Sequence, residues 1–214
     1  MSAVSSCLPR KSLRGITELK GKSVGVKTAQ PDLLTLMAPR SGSTPAKDIH
    51  WVADRKVKPL ELFAEGKIDA FFGFAPEPQE LRARHAGDVI ATTTLDRPWS
   101  QYFCRMLTGN REFVRKHAVA TKRVVRAVLK ATNLCATEQT QVARTIVDRR
   151  LFDRYDYALQ TLNEVPYDKW REYDAEDTAR FYALRLHEAG MIKSDQKKII
   201  ADKTDWPLLE RAQT

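Results

Sequence analysis

The strongest constraint on the fold is a pair of apolar runs, each introduced by a short polar phrase containing glycine. The first is Leu19-Lys20-Gly21-Lys22-Ser23-Val24-Gly25-Val26. The second is Phe63-Ala64-Glu65-Gly66-Lys67-Ile68-Asp69-Ala70-Phe71-Phe72-Gly73-Phe74. A brief β-branched or aromatic run bounded by turn residues reads as a buried strand. In the second phrase a helix ending at Gly66 feeds straight into such a strand. Strand, helix and strand in succession is the rhythm of a parallel sheet covered by helices.

The alternation persists to about Asn110. Strands are expected at 22–27, 49–53, 68–74, 89–93 and 102–107, and helices at 31–38, 58–65 and 77–84. Beyond Asn110 the strand signal stops. Helices are expected at 111–117 and 121–136, the second placing Val125, Val128, Leu129 and Thr132 on one buried face and Lys122, Arg123, Arg126 and Lys130 on the other. Thr137 is read as the cap of a helix running to Arg149, with Val142, Ala143, Ile146 and Val147 on one face. Asp174, with Asp177 three residues on, caps a helix to Ala189 that Gly190 stops, and Ser194 caps a final short helix. Residues 1–17 are rich in Ser, Arg and Lys without periodicity and read as a frayed tail. The organisation expected is therefore a tail at 1–17, an α/β lobe at 18–110 and an all-helical C-terminal region at 111–214.

Charge narrows the partners. The net charge of +9 is spread, with 16 basic against 11 acidic side chains in residues 1–110 and 20 against 16 in residues 111–214. A spread excess favours small anions over a nucleic acid, which needs a focused basic stripe and a recognisable motif. No apolar run approaches the ~20 residues of a membrane span, and no apolar stretch follows Arg10, Lys11 and Arg14 as an export signal requires, so the chain reads as soluble. Cys7, Cys104 and Cys135 are widely spaced and form no Cys-x-x-Cys pair, which points to neither a disulfide framework nor a zinc site.

A search for catalysis finds little. His50, His85, His117 and His187 are scattered, and no nucleophile elbow, phosphate loop or dinucleotide fingerprint occurs. The cluster Asp174, Glu176 and Asp177 belongs to a helix start, where negative charge is favoured. No catalytic residue, metal or cofactor is expected. A binding site is easier to place, because ligands of open α/β sheets lie beyond the carboxyl ends of the strands. Three loops leave such ends. Thr28 and Gln30 follow the first strand, Phe74 ends another and is itself a candidate together with Pro76 and Glu77 after it, and Arg97 and Trp99 follow the run Thr92-Thr93-Thr94. Hydroxyl, amide, aromatic wall and cation together suit a small anionic or aromatic organic molecule.

The two opening phrases, in this order, resemble the second lobe of ABC-transporter solute-binding proteins of the nitrate/sulfonate/thiamine-precursor type (NMT1/THI5-like). Asn110-Arg111-Glu112-Phe113 and Ala189-Gly190-Met191-Ile192-Lys193 are similar to phrases of the same family, so that the resemblance covers about residues 16–210. It implies the second lobe of a type II periplasmic-binding-protein fold followed by C-terminal helices. It further implies a binding role without chemistry, periplasmic residence and delivery of the solute to a permease. Thr28, Pro76 and Glu77 fall where the family places ligand contacts. In the family a signal peptide and most of a first lobe precede the Leu-Lys-Gly-Lys phrase, which here begins at residue 19. This chain therefore reads as the back half of a two-lobed receptor, cytoplasmic as written.

Two other classes share the fold: an effector-binding or interaction module, and an enzyme of the thiamine-pyrimidine synthase type, whose Cys-rich motif is missing here. Without a first lobe the apolar helix faces between residues 120 and 190, with Tyr155, Leu159, Phe181 and Leu184 among them, are expected to find cover in a homodimer.

Overall fold

In a computed structural model of the chain, the residues described are 5–7, 13, 15–26, 48–53, 58–103, 107–188 and 190–203. They belong to two compact units, Ala3–Ser100 and one made chiefly of Gln101–Thr214.

The first unit is a five-stranded sheet. Its strands are β1 (Ser5–Cys7), β2 (Ser23–Val26), β3 (His50–Ala53), β4 (Ala70–Phe74) and β5 (Ala91–Thr92), in the order β3-β2-β4-β1-β5. β2 is central to a parallel trio, with Val24 opposite Trp51 on one side and Ala70 on the other. β1 runs antiparallel to both β4 and β5, pairing Ser6 with Gly73 and with Thr92, so the sheet is mixed. Ser5–Cys7 thus forms a strand inside the segment read as a tail. Three small residues carry no periodicity of their own, and only pairing to two neighbours makes them a strand.

The two phrases that open the sequence argument are joined by one side chain. The Asp69 carboxylate accepts from the Ser23 backbone N–H at 2.9 Å and from the Ser23 hydroxyl at 2.8 Å. The Asp69 N–H donates to the Ser23 carbonyl at 3.0 Å. This sets β4 beside β2 in register. Gly21 and Gly66 turn the chain into these strands with φ of +71° and +75°, a region that costs a side chain energy.

Period-two alternation then sorts the core onto two faces. On one face Val24, Val26, Ala70 and Phe72 join Leu19 and Ile49, with Trp51, Phe74, Ile90 and Trp99 packed against them. On the other, Phe71 meets Phe63 of α1 (Pro59–Ala64), Ile68 and Leu81 of α2 (Glu77–Ala83). Gly25 lies under α1: a Cβ there would sit 2.6 Å from Ile68 Cδ1 and 3.0 Å from Pro59 Cβ.

The second unit is helical: α3 (Arg111–Lys116), α4 (Ala118–Thr137), α5 (Gln139–Asp148), α6 (Tyr155–Glu164), α7 (Ala175–Glu188) and α8 (Gln196–Lys203), with a 3-10 turn at Tyr167–Arg171. Ala143, Ala158 and Leu162 form its small core, with Cys135, Ile146, Leu159 and Tyr167 against them. Burial pushes the Cys135 thiol pKa up, and it does the same, with a smaller contribution from Cys135, to the Tyr167 hydroxyl. Phe181 stacks on Tyr102 at 4.0 Å between ring centroids.

Several expected elements shift. Residues 102, 103 and 107 are not strand, and 31–38 lie outside the described residues. Thr137 ends α4, its hydroxyl donating to the Asn133 carbonyl, and the cap position of α5 falls to Glu138. The final helix is capped by Asp195, which accepts from the Lys198 N–H at 2.9 Å, in place of Ser194. A carboxylate one residue nearer the helix reaches that N–H. Asp174 caps α7 as read, accepting from the Asp177 N–H at 2.9 Å, and Gly190 takes a φ of +71° after it. Val128, assigned to the buried face of α4, is 37% exposed. The helix at 155–164 is an addition to the sequence reading.

Candidate functional site

Because β1 is antiparallel to both β4 and β5, those two strands run the same way, and β2 is parallel to β4. The carboxyl ends of β2, β4 and β5 therefore share one edge of the sheet. The described loops after β4 and β5, with Pro76 and Glu77 in one and Arg97 and Trp99 in the other, leave from that edge.

Phe74 closes β4. Its half-buried ring meets Phe72 edge-on at 5.3 Å and packs on the Val24–Val26 face of the sheet. Its backbone N–H donates to Glu77 Oε2 at 3.2 Å, so the Glu77 carboxylate folds back over the turn that Pro76 begins. Glu77 thereby acts as a turn-holder as well as the first residue of α2. Trp99 is half-buried and packs on the same face as Phe74, which makes it an anchor for its loop. Arg97 is exposed two residues before it. Thr28 and Gln30 lie outside the described residues.

Between β5 and Trp99 the loop is held by its own backbone. Leu95 and Asp96 N–H groups donate to the Thr92 carbonyl at 3.1 and 2.8 Å, and the Ser100 N–H donates to the Asp96 carbonyl at 2.9 Å. The Asp96 carboxylate accepts in turn from the Thr92 N–H. This turn folds Thr94 inward. Thr94 is 5% exposed and its hydroxyl has no hydrogen-bond partner among the described residues. A buried hydroxyl left unpaired costs about 1–3 kcal/mol, so such a group marks a place where something polar belongs. In the sequence Thr94 is one of three consecutive threonines and nothing local distinguishes it. Its only signal was position after a strand, since burial of one hydroxyl among three is a tertiary property.

Elsewhere, an open concavity of about 600 Å³ belongs to the helical unit and is lined by Arg115, His117, Val119 and Arg123 among others. Among the described residues no group of three His, Cys, Asp or Glu side chains is placed to hold a metal ion. No helix among them is long and apolar enough to cross a membrane.

The family model described as NMT1-like matches residues 17–149. No curated protein matches the chain. Among solved structures, the chain is similar to the periplasmic sulfonate-binding protein SsuA of Methylobacillus flagellatus KT, at 19% identity and a TM-score of 0.67, covering 98% of this chain and 65% of that one. It is similar to the periplasmic nitrate-binding protein NrtA of Synechocystis PCC 6803, at 12% identity and a TM-score of 0.62, covering 99% and 64%. It is also similar to the desulfurization enzyme DszB, at 13% identity and a TM-score of 0.59, covering 100% and 76%. The chain thus spans just under two thirds of the length of the two binding proteins, and shares with all three a fold.

Proposed function

This chain belongs to the NMT1-like family, and from that premise we propose that it is the solute-binding component of an ABC importer. Its solute is a small anionic or aromatic organic molecule held at the sheet edge where β2, β4 and β5 end. The observation that carries the reading is a pair of half-buried rings, Phe74 and Trp99, packed on one face of the sheet, together with a buried Thr94 hydroxyl that has no hydrogen-bond partner among the described residues. Phe74 and Trp99 offer apolar walls, the Thr94 hydroxyl a hydrogen bond, and Arg97 an exposed cation on the loop that leads to Trp99. Thr28 and Gln30, directly after β2, add a hydroxyl and an amide. Pro76 and Glu77 shape the turn. Two proteins of this fold carry sulfonate-binding and nitrate-binding in their names, which favours an oxyanion as the polar end of the solute.

In this reading the protein works in the periplasm and passes its solute to a membrane permease by opening and closing around it. Affinity scales with how much of the ligand is enclosed. The α/β unit offers one side of such an enclosure, and binding by it alone is expected to be weak.

Calorimetry with a linear alkanesulfonate, nitrate and benzoate tests the assignment. Heat is expected with at least one of the organic anions, and Thr94→Val and Trp99→Ala should each weaken it about tenfold, roughly 1.4 kcal/mol. Unchanged affinity in both variants would remove the site. The similarity to DszB favours a second reading as an enzyme, and chromatography of the same mixtures separates the two. Recovery of the ligand intact supports binding, whereas its conversion would replace the transport reading.

A further inference from the structure

Helix α4 has two apolar faces. One is used at home: Val125 and Thr132 are buried, with Leu129 and Ala136 half-buried beside them. The other consists of Ala120, Val124, Ala127, Ala131 and Leu134, all exposed, Val124 at 53% and Leu134 at 42%. Their spacing of four, three, four and three is the seam of a coiled coil, sustained along most of a helix ~30 Å long. A soluble helix packed on one side ordinarily turns charge toward water on the other.

The flank of this seam is basic. Arg123 and Lys130, seven residues apart and exposed, occupy the position that in coiled coils pairs with charges of the partner helix. Neither has a carboxylate partner among the described residues. α4 carries Lys122, Arg123, Arg126 and Lys130 and no acidic residue. At its start, Arg115, Lys116 and His117 line the open concavity together with Val119 and Arg123.

We propose that the outer face of α4 is a docking surface for an acidic amphipathic helix of a partner polypeptide. Three alanines among the five seam positions let another helix approach closely, since interaxial distance is set by the side chains at the contact. Glutamates flanking the partner's own apolar stripe would meet Arg123 and Lys130. A second copy of this chain fits poorly: two α4 helices packed antiparallel about a two-fold axis bring these same basic flanks together. An anionic bilayer also fits poorly, because interfacial helices insert Trp, Phe and Leu, and this stripe is mostly alanine and valine.

The probe is a labelled synthetic peptide of about three heptads with leucine and alanine at the seam and glutamate on both flanks, beside a twin carrying lysine on the flanks. Fluorescence anisotropy with the full chain should show the glutamate peptide binding at least about tenfold more tightly than its twin, and weakening as salt is raised. The double variant Arg123→Glu with Lys130→Glu should invert the preference. Val124→Asp should abolish binding of either peptide while the circular dichroism spectrum is unchanged. Equal binding of the two peptides, or none, overturns the proposal. A chain that sediments as a dimer dissociated by Val124→Asp would assign the face to a second copy. Variant-sensitive binding to phosphatidylserine vesicles in place of peptide would assign it to a membrane.

Discussion

In the α/β unit the fully buried side chains are large: Phe63, Phe71, Leu19, Leu81, Val24 and Val26. In the helical unit the most deeply buried are small, among them Ala143, Ala158, Thr178 and Ala183. Exposure follows the opposite course. Among the described residues of the α/β unit, Leu95 alone is a large apolar side chain left exposed, whereas the helical unit exposes Phe113, Val119, Val124, Leu134, Leu151 and Met191 among others. A sheet has two faces, and here both are covered by the unit's own helices, turns and loops, so its large residues go inside. The helices bury small residues most deeply and leave several larger ones outside. The first unit thus owns its hydrophobic core, while the second holds apolar surface in reserve.

The largest expected effect tests that ownership directly. Phe71→Ala should destabilise the α/β unit by about 3–5 kcal/mol, the cost of a cavity opened among close-packed neighbours. Leu134→Ala on the outer face of α4 should change stability by no more than about 0.5 kcal/mol. Urea unfolding of both variants measures the contrast. A cost for Leu134→Ala comparable to that for Phe71→Ala would mean that the helical unit uses this face for its own stability.

Polar side chains sharpen the comparison at smaller scale. Asp69→Ala removes a charged acceptor shared by the Ser23 backbone and hydroxyl between two strands far apart in sequence. It should cost about 2 kcal/mol, within the range for hydrogen bonds to charged groups. Asp174→Ala removes one cap bond from α7. About 1 kcal/mol is expected there. Ser194→Ala should be nearly silent, because Asp195 carries the neighbouring cap. Denaturation midpoints in that order support a register lock in one unit and local caps in the other. A larger cost for Asp174 than for Asp69 would reverse the picture.

How much of this was legible in the sequence depends on the range of the interaction. Residues 23–26 and 70–74 read as strands because burial on both faces writes an uninterrupted apolar run. Asp174 and Gly190 were legible because a cap is decided within four residues. The strand at Ser5–Cys7 was not, since its partners lie at 72–74 and 91–92. Asp69 was visible as part of a phrase, but its bond to Ser23 spans 46 residues and no local pattern announces it. For the candidate site, the sequence offers Phe74 as the last residue of a strand and Trp99 in the loop after another, and both pack against one face of the sheet. Thr94 was not picked out from its neighbours, because only the folded loop decides which of three hydroxyls is shut away from water. On α4 the sequence holds two apolar faces, and periodicity alone does not say which one is covered.

The smallest effect concerns a rate. Cys135 is half-buried against the Ala143–Ala158–Leu162 cluster, and burial raises its thiol pKa. The reactive species in alkylation is the thiolate, so a raised pKa leaves less of it at any pH below the midpoint. Iodoacetamide labelling of Cys135, resolved from Cys7 and Cys104 by peptide mass spectrometry, should run slower than labelling of a free small thiol at the same pH, with its midpoint displaced upward. The sign for stability follows from the same shift. The folded unit holds this proton more tightly than the unfolded chain, so the contribution is whole below the unfolded thiol's pKa. It is lost as pH rises above that value toward the folded one. Partial exposure keeps the effect small. Low urea offers the final contrast: a helical unit with a small core should open locally, so Cys135 labelling should accelerate well before the α/β unit unfolds. Labelling that stays slow up to the main transition would show instead that the small helical core is as cooperative as the sheet.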